Sequence, residues 1–387
     1  MVLNKAVAVG SSIFSRAVFF LSLASYVYAS NSDHDVVVFF QLLFLQAIVI
    51  AFLSASGFFR AQNFTTADQA SAFFSVYLVL GVSSLLALLG FLFFSEQYSA
   101  YKIPVILIWG GAVFTAFSSP LSGYLIISQG PIKTFLPSIV VAIICTLIVG
   151  FSPYEMIGLQ PYLLIVGYQA VTFLVLAVLA KDVVASAIVI VKNLKVSEYL
   201  GHVKENLNIG VILTIHLAII FQFRETWSSS VAPSVASAVF LVFRFSDTLM
   251  QFTHMVLSRH AVVSKVYFAG NSSRIALVLV WAGICSFGLY YTAQYSAAFA
   301  PLMFAITAQI ILDIFRQVWG LAFLSQMENF KLMNYYWYVI FPPIFSYIVT
   351  YLTVGNQTIV AIYTFNLIIV ATGALITLLQ LRRGSPL

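Results

Sequence analysis

Arg16, Arg244, Asp247, Asp313 and Arg316 fall inside runs that otherwise read as lipid-spanning helices. A charge near the bilayer centre costs about 3 kcal/mol on insertion scales, so such residues face a cavity or a partner rather than lipid. Four of them form two similar pairs, Arg244 with Asp247 and Asp313 with Arg316. Three positive and two negative charges suit one task above others, the holding of an anionic, polar cargo within a membrane. A guanidinium grips phosphate oxygens in a bidentate fork, which a lysine ammonium cannot do.

The neighbours of these charges extend the pattern. On a helix, positions i, i+3, i+7 and i+11 share one face. Arg244, Asp247, Gln251, His254 and Ser258 lie on one such stripe, and Gln309, Asp313, Arg316 and Gly320 on another. Both stripes run from mid-membrane toward the cytoplasmic end, and Arg16 falls slightly to that side of its own run. Together they describe a hydrated, net-positive lumen opening toward the cytoplasm, with Gln251 and Gln309 as neutral polar lining. The Arg–Asp pairs admit two readings, self-neutralising bridges that lock helix packing or a cargo site. Arg16, with no acid on its own helix, fits the second. Asp247 and Asp313 would balance the arginines between cycles or, if desolvation raises their pKa, carry protons, with His254 as a further titratable group.

The elements that position these residues follow from composition. Of 387 residues, 61% are hydrophobic and only 8% charged, with a mean hydropathy of +1.02. A soluble domain carries about 25% charged residues. Apolar runs of spanning length recur along the chain. We place twelve, at 7–29, 36–58, 72–94, 103–127, 135–150, 160–180, 207–223, 231–257, 274–293, 299–323, 332–353 and 358–380. The expected fold class is therefore an all-α polytopic membrane protein. Outside the spans, every Lys and Arg except Lys102 and Arg224 falls on the N-terminal side of the membrane. That bias predicts cytoplasmic N- and C-termini, and it makes the net charge of +6 a topology signal with no nucleic acid implied. Arg16 within the first run argues for a retained span rather than a cleaved leader.

The 181–206 connector, which carries Lys181, Lys192, Lys195 and Lys204, divides the chain into an N-terminal lobe (1–180) and a C-terminal lobe (207–387), each of six helices. Shifting the first lobe by 197 positions lays its spans on those of the second. Gly123, Ser128 and Gln129 then meet Gly320, Ser325 and Gln326. An even number of spans per lobe makes the repeats parallel, and substrate sites in such proteins sit between the halves near the midplane. No phosphate-binding GxxxxGK[ST] loop, nucleophile elbow or Cys/His metal cluster appears, so neither enzyme activity nor a cofactor or metal is expected. Cys145 and Cys285, both in apolar runs, read as packing thiols.

With these residues in view, the chain resembles the polysaccharide-transport branch of the MOP (multidrug/oligosaccharidyl-lipid/polysaccharide) exporter superfamily, the Wzx-type O-antigen and enterobacterial-common-antigen flippases. Ser246-Asp247 followed by Gln251-Phe252 resembles the family's Ser-Asp-x-x-x-Gln-Phe stretch. Asp313 and Arg316 followed by Gly320 resemble its Asp-x-x-Lys/Arg segment, and the terminal Arg382-Arg383 also fits. Arg16 falls where relatives carry a basic residue, and Gly57 with Arg60 falls where they have Gly followed by a basic residue. One departure is Phe40 before Gln41-Leu42, where some relatives have Arg. The resemblance implies flipping of an undecaprenyl-pyrophosphate-linked oligosaccharide across the bacterial inner membrane. Arg16, Arg60, Arg244 and Arg316 would hold the diphosphate. The phospholipid bilayer would receive the polyprenyl tail, and a polysaccharide polymerase and chain-length regulator stand as further candidate partners. Two alternatives remain at this point, an H⁺- or Na⁺-coupled small-molecule or drug antiporter of the same superfamily, and a membrane glycan polymerase or ligase. The excess of arginine argues against a cationic drug, and the short far-side connectors argue against the enzyme.

Overall fold

The computed structural model describes residues 32–54, 61, 64, 66–94, 100–151, 160–193, 196–240, 283, 339–355 and 358–382. The helices are α1 (Asp33–Ser54), α2 (Ala67–Phe94), α3 (Lys102–Ser128), α4 (Pro131–Phe151), α5 (Gln160–Leu179), α6 (Lys181–Lys192), α7 (Val196–Ser230), α8 (Phe341–Thr353) and α9 (Ile359–Arg382). Residues 233–240 are helical as well. Five of the described helices (α1, α2, α3, α5 and α9) are long and apolar enough to cross a membrane. A helix rises about 1.5 Å per residue, and the 27 residues of α3 exceed the roughly 20 needed for the hydrocarbon core. The chain divides into two compact units, Met1–Leu217 and Ala218–Leu387.

Within the first unit, α1 packs on α3, α3 on α5, and α2 on both α3 and α6. One apolar cluster joins α2 (Phe73, Phe74, Tyr77), α3 (Leu121, Leu125), α5 (Leu176) and α6 (Val183, Ala187). The opposite faces of the spans stay apolar. Leu86 is 71% exposed, Phe93 83% and Val178 72%, exposures that an aqueous protein would bury and a lipid-facing one need not. In the second unit α8 packs on α9, where the Ser346 hydroxyl donates to the Phe365 carbonyl at 2.5 Å.

Most helix bounds follow the apolar runs within a few residues. Three do not. The described α8 begins at Phe341, nine residues after the expected start at 332, with 332–338 outside the described residues. The other two lie around the expected 181–206 connector, which is largely helical. Its first part forms α6, whose Val183 and Ala187 are buried against the core. Its second part is the start of α7, which runs through the expected 207–223 span to Ser230. The polar opening of α7 does not register as a span, yet nothing in its backbone chemistry breaks a helix. Arg224, expected in a far-side connector, consequently lies within α7.

Between α3 and α4 the chain reverses in two residues. Gln129 N–H donates to the Leu125 carbonyl at 2.8 Å, and Gly130 adopts φ +88°, a left-handed conformation most side chains resist. Cys145 is buried beside Val141, Ala142 and Tyr168, in keeping with a packing thiol.

Candidate functional site

Every residue assigned to the lumen from sequence lies outside the described residues: Arg16, Arg60, Arg244, Asp247, Gln251, His254, Gln309, Asp313 and Arg316. What the structure describes is a polar interior in each unit, built on neutral amides and, in the second unit, on Arg224.

The first unit centres on two neutral amides. Gln46 and Gln169 lie near the middles of α1 and α5, with exposures of only 5% each. Gln46 Nε2 donates to Gln169 Oε1 at 3.1 Å and to the Ile108 carbonyl of α3 at 3.2 Å. Three helices are thereby tied through one side chain at a depth where water cannot compete. The arrangement requires Gly111. A methyl group there would sit 2.0 Å from Gln169 Oε1 and 3.0 Å from Gln46 Nε2. Nearby, Trp109 Nε1 donates to Ser84 Oγ at 3.4 Å, while that hydroxyl donates to the Gly81 carbonyl at 2.7 Å. Most other hydroxyls on these helices bond back to their own helix, as Ser71 does to Ala67 and Thr115 to Gly111, so they add no reach into a lumen.

At one end of α1, the Tyr101 phenol donates to Asp35 Oδ1 at 2.5 Å, with the His34 ring 6.5 Å from that of Tyr101. Asp35 stands in the first turn of α1, where the helix dipole favours a carboxylate. The contact pins the starts of α1 and α3 together.

Among the described residues of the second unit, Arg224 is a half-buried cation. Arg224 Nη2 donates to Asn366 Oδ1 on α9 at 3.3 Å. Asn366, 5% exposed, donates through Nδ2 to the Ile362 carbonyl at 2.6 Å, which fixes its oxygen toward the guanidinium. One position before each, Phe223 stacks on Phe365 with ring centroids 3.8 Å apart and planes 9° from parallel. Trp227 Nε1 donates to the Thr358 carbonyl at 2.8 Å, so three successive contacts zip α7 to α9.

Could the sequence have shown these positions? Gln46 and Gln169 stand out as amides in the middle of apolar runs, but nothing in their spacing, 123 positions apart, says that they meet. Arg224 was visible as a cation, while its placement beyond the hydrophobic run hid its helical setting. Among the described residues, no group of His, Cys, Asp and Glu could hold a metal ion.

Long apolar helices, tied by buried amides and carrying exposed leucines on their outer faces, define a multi-pass α-helical membrane protein. No protein-family model matches the sequence, and no curated protein matches it. In three dimensions it is similar to a multidrug resistance MATE family transporter of the MOP superfamily in its outward-facing conformation, with TM-score 0.55, 16% identity, and coverage of 98% of this chain and 94% of the other. The inward-facing conformation of such a transporter matches with TM-score 0.51 and 14% identity, over 100% and 96% of the two chains. A MOP superfamily transporter from Pyrococcus furiosus, described as having a binding pocket of reverse polarity that suggests a different function, matches with TM-score 0.54 and 13% identity over 98% and 95%. At these identities the likeness establishes the fold. This chain has the fold of the MOP-superfamily transporters.

Proposed function

We propose that the chain is a transporter that flips an undecaprenyl-pyrophosphate-linked oligosaccharide repeat unit from the cytoplasmic to the periplasmic face of the bacterial inner membrane. Twelve spans in two six-helix halves would rock about a central lumen and expose it to each side in turn. Arg16, Arg60, Arg244 and Arg316 would hold the diphosphate. Gln251 and Gln309 would line the path of the sugars, and Asp247, Asp313 and His254 would balance charge or carry protons.

The observation that carries this reading is the sign of the intramembrane charge. Three arginines against two aspartates within the expected spans would leave a net-positive interior, which matches a diphosphate and repels a cationic drug. The shared fold supports transport as the class of activity. The Pyrococcus furiosus transporter's description, in which reversed pocket polarity suggests a different function, supports using charge to choose the cargo.

A second reading is an H⁺- or Na⁺-coupled small-molecule or drug antiporter, favoured by the multidrug transporters among the structural neighbours. Mass spectrometry of polyprenyl-linked glycans after gene deletion separates the two. Accumulation of one lipid-pyrophosphate repeat unit, with loss of surface glycan, is the expected result. Intact surface polymer together with heightened sensitivity to effluxed dyes would transfer the assignment to the antiporter.

A further inference from the structure

The short helix α6 has no role in the transport reading, and its three faces differ in chemistry. Val183 and Ala187 are buried at 2% and 0% exposure, joining the α2 core. Asp182, Ser186, Val189 and Asn193 follow one exposed, mostly polar edge. Between these, Lys181, Ala185, Ile188 and Lys192 follow the i, i+4, i+7, i+11 spacing of a single stripe, all exposed. Ile188 is 44% exposed and Val189 56%. The stripe is thus a short apolar patch with an ammonium at each end.

The fold fixes the depth of this stripe. A single residue, Ala180, separates α6 from the end of the membrane-spanning α5. Gln129 Nε2 donates to the Leu179 carbonyl at 3.0 Å, which sets the end of α3 at the same level. The α2 residues that share a cluster with α6 (Ala70, Phe73, Phe74, Tyr77) lie within the first three turns of that span, roughly 15 Å of rise from its start. Three spans therefore place α6 at the membrane boundary, neither in mid-bilayer nor clear of it. Exposed alanine and isoleucine flanked by lysines at that depth are the pattern of a helix lying in the interface, whose lysine stems run along acyl chains while the ammonium groups reach the phosphates.

We propose that α6 is an interfacial helix that seats Ile188 among the acyl chains of one leaflet and sets Lys181 and Lys192 against the phosphates of anionic phospholipids. The outer stripe is complementary in both shape and charge to that occupant. A basic residue close to an anionic surface raises local affinity by about fivefold, so the pair selects anionic over zwitterionic lipid. The inference is independent of the cargo, since it uses none of the lumen residues.

The test uses the full-length chain carrying Cys145→Ala and Cys285→Ala, with a single bimane-labelled cysteine at Ile188→Cys or at Ser186→Cys. It is reconstituted in phosphatidylcholine vesicles with and without phosphatidylglycerol. Brominated acyl chains are expected to quench the label at 188 severalfold more than at 186, and aqueous iodide to do the reverse. Equal quenching at both positions, or iodide quenching at 188 as strong as at 186, overturns the seating of the helix in lipid. Protection of 188 from both quenchers assigns the stripe to a protein partner and overturns it too. The headgroup half is read by native mass spectrometry of phosphatidylglycerol retained by a Lys181→Gln/Lys192→Gln variant. A severalfold loss relative to the parent is expected, and unchanged retention overturns it.

Discussion

Gln46 Nε2 lies 3.1 Å from Gln169 Oε1, and the bond joins α1 to α5 while the same amide nitrogen reaches the Ile108 carbonyl of α3. Within membranes, interhelical hydrogen bonds contribute about 0.6 kcal/mol on average and up to about 1.7, and a buried group left without its partner costs about 1–3 kcal/mol. Gln169→Leu is therefore expected to lower unfolding stability in detergent by about 1 kcal/mol. The Gln46→Leu/Gln169→Leu double variant should lose less than the sum of the two single changes. Strict additivity across that double-mutant cycle would show that the two amides do not interact.

Space rather than hydrogen bonding governs two glycines on these helices. A Cβ at Gly210 of α7 would stand 2.5 Å from the backbone carbonyl of Phe52, so the helices must separate to admit it. Gly210→Ala is expected to destabilise by about 1–3 kcal/mol, the range for overpacking. A Cβ at Gly110 would have nothing within 4 Å, and Gly110→Ala should stabilise by about 0.5–1 kcal/mol through helix propensity alone. Thermal unfolding of the two variants side by side checks the contrast, which equal shifts would refute.

Arg224 depends on an oriented acceptor. Hydrogen bonds to charged groups contribute about 1.5–3 kcal/mol, and Arg224 is only half-buried, which reduces the figure. Asn366→Leu removes both the acceptor and the bond that aims it at the guanidinium. A loss of about 1 kcal/mol is expected, with Asn366→Asp tolerated better because it restores an oxygen to the cation. Chemical unfolding of the three proteins gives the order, and an aspartate variant weaker than the leucine one would contradict it.

For the proposed cargo, the charge at Arg16 and Arg316 matters more than side-chain shape. Arg16→Glu and Arg316→Glu should abolish surface-glycan export at normal protein abundance. Arg16→Lys should retain part of it, because an ammonium keeps the attraction and loses only the bidentate grip. Export assays in a deletion strain, normalised to membrane protein, decide the matter. Wild-type export by Arg16→Glu would remove the cationic-lumen mechanism.

The limits of sequence reading show at particular residues. The start of α3 differs by one position from its expected span, and α5 ends one residue before its own, because transfer of apolar side chains into lipid is summed along a local stretch and needs no tertiary knowledge. The same sum fails for α7. Its opening turns carry Glu198, Lys204 and Glu205, which hydropathy rejects although a helix accommodates them. Arg224 fell one residue beyond the expected span for the related reason that a charge at the edge of an apolar run looks like the edge of a helix.

By itself, then, the sequence determined a helical membrane chain and the approximate bounds of its described long spans. Each of these follows from the cost of placing a given side chain in hydrocarbon, a property of the residue and its immediate neighbours. Only the tertiary structure decided that Gln46 meets Gln169, that Gly111 leaves room for them, and that Asn366 turns its oxygen to Arg224. Those contacts depend on how far each helix is rotated about its axis and how closely it approaches the next. In spans that are apolar on every side, periodicity carries no record of that rotation.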